Sequence, residues 1–207
     1  RATSGREMSS PTTGMSWQQD NVWLTDAALV DGGRRLYVGY TALYDGLNYY
    51  DAFVALFDPT GGLLWAKAFD SYSRDEAHAT AWADAGFVVV GSHNVGNDGF
   101  ILVLDLIGGI VVQWTLPSCD FTAVKAISYG RFAAVGEVRL GGKTYGLLVI
   151  GNENGYITRV LRFGLPSSQY PVRVQSFVEF ENEHIAVVMD AYGDVYGTEM
   201  SRVVIAE

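Results

Sequence analysis

The chain has 207 residues, of which 49% are apolar, 13% aromatic and 18% charged, and 14 Lys+Arg against 23 Asp+Glu leave a net charge of -9. This length can bury a full core, and the apolar fraction excludes a disordered chain. Lysine occurs only at 67, 125 and 143, so the basic face that nucleic acid demands is missing. The longest apolar stretch, residues 100–114, is interrupted by Asp105, Gly108 and Gly109 and falls short of the roughly 20 residues of a membrane helix. No membrane span is expected. Cys119 is the single cysteine, which leaves no intrachain disulfide framework.

In chain order, Ala2–Met8 and Asn21–Val30 read as strands, separated by a loop rich in Ser, Thr, Gln and Gly over Ser9–Asp20. From there a repeat organises the chain. A strand carrying Val-Gly comes first (strand A): Leu36–Tyr40, Phe87–Ser92, Phe132–Glu137. An apolar run ending in Asp or Asn follows (strand B): Asp51–Asp58, Asp98–Asp105, Tyr145–Asn152. A tight turn closed by Gly61, Gly108 or Gly155 then leads into Leu63–Trp65, Ile110–Val112 or Ile157–Val160 (strand C). Asp or Asn opens such a turn by accepting backbone N–H bonds, and Gly supplies the positive φ that closes it. A further strand (strand D) covers Glu76–Trp82, Phe121–Ile127 and Pro171–Phe177. Asp58, Asp105 and Asn152 are spaced by 47 and 47 residues, as one supersecondary unit used repeatedly would be. His184–Met189 fits strand A again and Met200–Glu207 fits strand B.

Four-stranded units of this length indicate an all-β protein, a β-propeller of four blades of four antiparallel strands. The units are expected at about 33–82, 83–128, 129–178, and 179–207 together with 1–32, all in one domain. The last blade would pair the C-terminal strands A and B with N-terminal strands C and D, closing the ring and removing two strand edges. The Val-Gly glycines would lie near the axis, where backbones approach closely. No segment holds a sustained 3.6-residue period, so helix is expected to be nearly absent.

The run Asp51-Ala-Phe-Val-Ala-Leu-Phe-Asp-Pro-Thr-Gly-Gly-Leu-Leu-Trp65, followed by Asp75-Glu-Ala77 and Val90-Gly91, resembles the SBBP-type β-propeller repeats of bacterial and archaeal surface or secreted proteins. Ala55 stands where that pattern usually has Lys. The second unit matches at Asp98, Phe100, Asp105, Gly108 and Trp114, with the Trp one residue late. The third keeps little beyond Gly136 and Gly155, so the resemblance covers about residues 33–165. It implies a scaffold and an extracellular or cell-surface location, and it transfers no catalytic residue.

Catalytic patterns are missing. His78, His93 and His184 share no short metal-ligand spacing, and each reads as a structural or surface histidine. Cys119 reads as a buried or incidental thiol. Gly141-Gly142-Lys143-Thr144 echoes a phosphate loop but lacks its upstream Gly and a following helix. Asp51, Asp58, Asp75, Glu76, Asp98 and Asp105 belong to the repeat, so turn and strand-end bonding explains them first.

The connections between strands A and B depart from the repeat, and in a propeller they converge on one face. The candidate ligand-binding set is Tyr40, Tyr44, Asp45 and Tyr49 from the first, His93 and Asp98 from the second, Glu137 and Arg139 from the third, and Asp190, Tyr192 and Asp194 from the fourth. Tyrosine rings with carboxylates suit sugar hydroxyls, a Ca²⁺ ion or a protein partner. The plainer alternative is that these tyrosines fill loops and shield strand edges. No cofactor or metal ligand is assigned. The expected function is a noncatalytic binding or adhesion module for a glycan or protein surface. The alternatives are a self-associating subunit of a surface layer or filament, and a metal-assisted hydrolase or lyase at the central channel.

Overall fold

A computed structural model describes residues 21–42, 50–69, 74–93, 98–164, 172–180, 184–192 and 199–206. The described residues are all-β, with a single 3-10 turn at Asp31–Gly33. Four antiparallel sheets follow one another along the chain. The first holds β1 (Asn21–Leu29), β2 (Arg35–Ala42), β3 (Tyr50–Phe57) and β4 (Leu63–Phe69). The second holds β5 (Asp75–Ala83), β6 (Gly86–His93), β7 (Asp98–Leu104) and β8 (Ile110–Pro117). The third holds β9 (Cys119–Ala126), β10 (Phe132–Leu140), β11 (Lys143–Gly151) and β12 (Ile157–Phe163). The fourth has three described strands, β13 (Val172–Phe180), β14 (His184–Tyr192) and β15 (Glu199–Ala206). The expected strand Ala2–Met8 and the loop Ser9–Asp20 lie outside the described residues.

The sheets are offset by one strand from the sequence repeat. Each strand D pairs with the following strand A, so β5 is the first strand of the second sheet and β1 the first strand of the first. This corrects the expected pairing of Asn21–Val30 with the C-terminal strands. Connection length is the physical reason. Ala83 and Gly86 are joined through Asp84 and Ala85 alone, and a two-residue loop forces a hairpin.

The core lies between sheets. Leu36, Val38, Val54 and Leu56 pack against Phe87, Val89, Phe100 and Leu102. Val88, Val90, Ile101 and Val103 point the other way, toward Phe121, Phe132, Ala134 and Val149. Ala133, Val135 and Leu148 meet Val174, Phe177, Val187 and Met189 of the fourth sheet. The second and third sheets are thus buried on both faces, which is why Phe87-Val-Val-Val90 and Phe100-Ile-Leu-Val-Leu104 are continuous apolar runs without polar alternation.

The turns between the third and fourth strands behave as their repeat suggests. Asp58 Oδ1 accepts from the N–H groups of Thr60 and Gly62, both at 2.8 Å. Asp105 Oδ1 accepts from Ile107 and Gly109, at 3.0 and 2.7 Å. Asn152 Oδ1 accepts from Asn154 and Tyr156, both at 3.0 Å. The second and third turns are also gripped by the sheet before them: Trp65 Nε1 donates to the Leu106 carbonyl at 2.9 Å, and Trp114 Nε1 to the Gly155 carbonyl at 3.2 Å. The late position of Trp114 in the repeat does not cost it this bond.

The first strand of every sheet carries a bulge. The extra residues are Thr25, His78, Thr122 and Gln175. A bulge leaves one residue unpaired and bends the strand. It also explains the Val-Gly motif. A Cβ at Gly39, Gly91 or Gly136 would run into the carbonyl oxygen of Trp23, Glu76 or Asp120, on the bulged strand of the same sheet. Close approach of a backbone is therefore confirmed, but it comes from the paired strand and not from other strands gathered at an axis.

Candidate functional site

The bulged residues point from one sheet to the next. Thr25 Oγ1 donates to the Ala77 carbonyl at 2.6 Å, His78 Nδ1 to the Phe121 carbonyl at 2.7 Å, and Thr122 Oγ1 to the Val174 carbonyl at 3.0 Å. Each acceptor precedes the next sheet's own bulge. This brings the residue two positions before each bulge to the same end of the molecule: Trp23, Glu76, Asp120 and Arg173. Their partners across the strand pair are Tyr40, Ser92, Glu137 and Asp190.

A continuous line of contacts crosses three sheets there. Trp23 stacks on Tyr40 with ring centroids 5.2 Å apart and planes 18° apart. Tyr50 meets both rings edge-on, at 6.2 and 5.2 Å. The Arg74 guanidinium lies 4.4 Å over the Tyr50 ring and reaches the Glu76 carboxylate at 3.6 Å. His78 sits 3.7 Å from Glu76 and 3.3 Å from Asp120. Asp120 faces Glu137 directly across the strand pair. Trp23 is 42% exposed, so its ring is available to a ligand.

The electrostatics are uneven along this line. Glu137 is pushed above the usual carboxylate range, first by burial and then by the charge of Asp120. The backbone N–H of Val174 and the cations of Arg173 and Arg139 oppose that shift. Like charges directly opposite one another on paired strands repel. The surface therefore offers an aromatic platform at one side and paired hydrogen-bond acceptors at the other, with arginines between and beyond them.

Of the expected residues, Tyr40 and Glu137 belong to this line. Arg139 is exposed at its far end and reaches it by charge. His93 is buried, its Nδ1 2.6 Å from Asp75 and its ring 5.1 Å from Phe100, so it serves the packing of the second sheet. Asp98 accepts from the Ser118 N–H at 3.0 Å, a strand-end bond. Asp190 and Tyr192 lie on β14, opposite Arg173 and Glu199. Tyr44, Asp45, Tyr49 and Asp194 lie outside the described residues. Trp23, Arg74 and Asp120 carry no signal of their own in the sequence, Glu76 reads there as a repeat acid for turn or strand-end bonding, and His78 reads as a structural or surface histidine. Aligning the D strands on one another would have set Trp23, Glu76, Asp120 and Arg173 at one position.

Cys119 is no nucleophile. It is buried at the start of β9, burial pushes its thiol up to about 12, and Sγ donates to the Leu116 carbonyl at 3.1 Å. Among the described residues no three His, Cys, Asp or Glu side chains gather as metal ligands. Among them, too, no helix is long and apolar enough to cross a membrane.

No family model matches the chain, and no curated protein does. Solved structures similar to it include a protein of unknown function from Bacteroides caccae, 12% identical, with a TM-score of 0.50 over 88% of this chain. The chain spans 61% of that protein's length. Likeness at this identity concerns the fold.

Proposed function

We propose that the four sheets are blades of a four-bladed β-propeller, and that the chain is a noncatalytic module binding a glycan at the end where Trp23, Glu76 and Asp120 meet. Three successive bulge clasps support the ring. So does an apolar groove of about 620 Å³ on the outer face of the first sheet, lined by Val22, Leu24, Tyr37, Phe53 and Phe57. A fourth blade returning to the first would cover it. The resemblance of the first repeat to surface and secreted propellers favours an extracellular or cell-surface place.

The observation that carries the binding reading is the Trp23–Tyr40–Tyr50 platform beside the carboxylates of Glu76 and Asp120. A flat aromatic ring takes the apolar face of a sugar, and neighbouring carboxylates accept its hydroxyls. A glycan array with the folded chain tests this. Binding is expected, and Trp23→Ala should weaken it at least tenfold with little change in the melting temperature. An array without a hit, or a Trp23→Ala variant that binds unchanged, would overturn the glycan reading and leave a protein surface as the partner to test.

One observation favours assembly as a second reading. Leu63, Leu64, Val111 and Val160 are exposed on the outermost strands of three sheets. Large exposed apolar patches mark contact surfaces. Light scattering that finds a monomer at high concentration removes this reading.

A further inference from the structure

We propose that His78 is a proton-operated clasp that holds the second and third sheets together at the candidate site. Three equivalent bulge positions link successive sheets, and two of them hold threonine, which does not titrate. Between the second and third sheets the link is an imidazole set between two carboxylates, Asp120 at 3.3 Å and Glu76 at 3.7 Å.

The partners fix which nitrogen titrates. Nδ1 lies 2.7 Å from the Phe121 carbonyl, which only accepts, so Nδ1 carries a proton in both states. The exchanging proton therefore sits on Nε2, between the Ser92 hydroxyl at 3.5 Å and Glu76 Oε2 at 3.7 Å. Neutral Nε2 accepts from Ser92. Protonated Nε2 donates toward Glu76, and the ring then carries the positive charge that separates Glu76 from Asp120.

The surrounding charged and titratable groups fit this role. On its own strand is Asp75, which is held by His93 of β6, and just before that strand is Arg74, which pairs with Glu76. On β1, Asp26 is occupied by the Thr80 N–H at 2.9 Å. Tyr40 and Tyr50 stand beyond Arg74. On β9 are Asp120 and the buried thiol of Cys119, and on β10 Glu137 adds negative charge behind Asp120. Burial works against the charged ring, yet the adjacent Asp120 carboxylate, the Phe121 carbonyl and the charge of Glu76 outweigh it and raise the His78 pKa above its ordinary 6.5. A group whose folded pKa is raised adds stability that is fully present below its unfolded pKa and is lost as pH rises through the folded one. The clasp is therefore fully engaged below the ordinary imidazole pKa and is lost as pH rises through the raised His78 pKa, whatever the site binds.

Long-range ¹H–¹⁵N NMR of the imidazoles, with thermal unfolding of wild type and His78→Thr across the same pH range, tests this. Threonine is what the neighbouring bulges use, so it keeps the cross-sheet bond and removes the titration. Expected are a His78 midpoint above 6.5, a neutral ring protonated on Nδ1, and a melting temperature whose extra pH dependence disappears in His78→Thr. A midpoint at or below 6.5, or an unchanged pH profile in His78→Thr, would falsify the clasp. If His78→Thr does not fold, Asp120→Asn serves instead: it should lower the His78 midpoint, and an unmoved midpoint overturns the proposal.

Discussion

The turns between outer strands and the bulges on first strands solve repeated problems in opposite ways. Asp58, Asp105 and Asn152 make the same two backbone bonds in three successive sheets, each with the same glycine spacing. The bulges share a geometry, but Thr25, His78, Thr122 and Gln175 fill it with three residue types. Residues that recur with the repeat shape the backbone. Residues that change at a fixed geometric position are free to carry chemistry, and the line from Trp23 to Glu137 begins beside those positions.

Three substitutions break or sharpen this contrast. The largest effect is expected at the glycine that faces the bulge. Gly91→Val would drive a Cβ into the Glu76 carbonyl and the Phe100 ring, and should cost about 3 kcal/mol in urea unfolding. A cost near zero would mean that the bulge does not require glycine. Thr122→Val removes one cross-sheet bond and leaves the Val174 carbonyl short of a donor, for about 1 kcal/mol. The smallest loss belongs to the exposed turns. Asp105→Ala should cost roughly 0.5 kcal/mol, read as a small drop in urea midpoint at constant slope. Equal losses at Thr122 and Asp105 would erase the distinction drawn between bulge and turn.

Much of the fold was legible because its signals are local. An Asp or Asn followed by Gly writes a turn into a few neighbouring residues, and Phe87-Val-Val-Val90 writes a strand buried on both faces. Pairing was harder. The Val-Gly motif marked β2, β6 and β10 correctly, but the partner it implies lies one strand earlier in sequence. The short connection at Asp84-Ala85 was the available clue. The candidate site was legible only at Tyr40 and Glu137. Trp23, Glu76 and Asp120 come together through register, since each lies two residues before a bulge, and a bulge has no composition of its own to betray it. Nor does the sequence say that His93 turns inward to Asp75 while His78 bridges two sheets.

The links between sheets have a further property. Thr25, Trp65, His78, Trp114, Thr122 and Lys125 each reach from an earlier sheet to a backbone carbonyl of the next. The link between Ser128 and Glu179 runs the other way, yet it too joins a side chain to a backbone group at 2.7 Å. A carbonyl looks the same whatever residue bears it. These hydrogen bonds are therefore specified by the side that supplies the side chain and tolerate change in the residue that offers the backbone group, whereas the apolar side chains packed across each seam and the His78–Asp120 and Ser128–Glu179 side-chain pairs must still match. At such bonds repeats can drift apart in sequence one at a time, as the third has drifted from the first, while the stacking of the sheets persists.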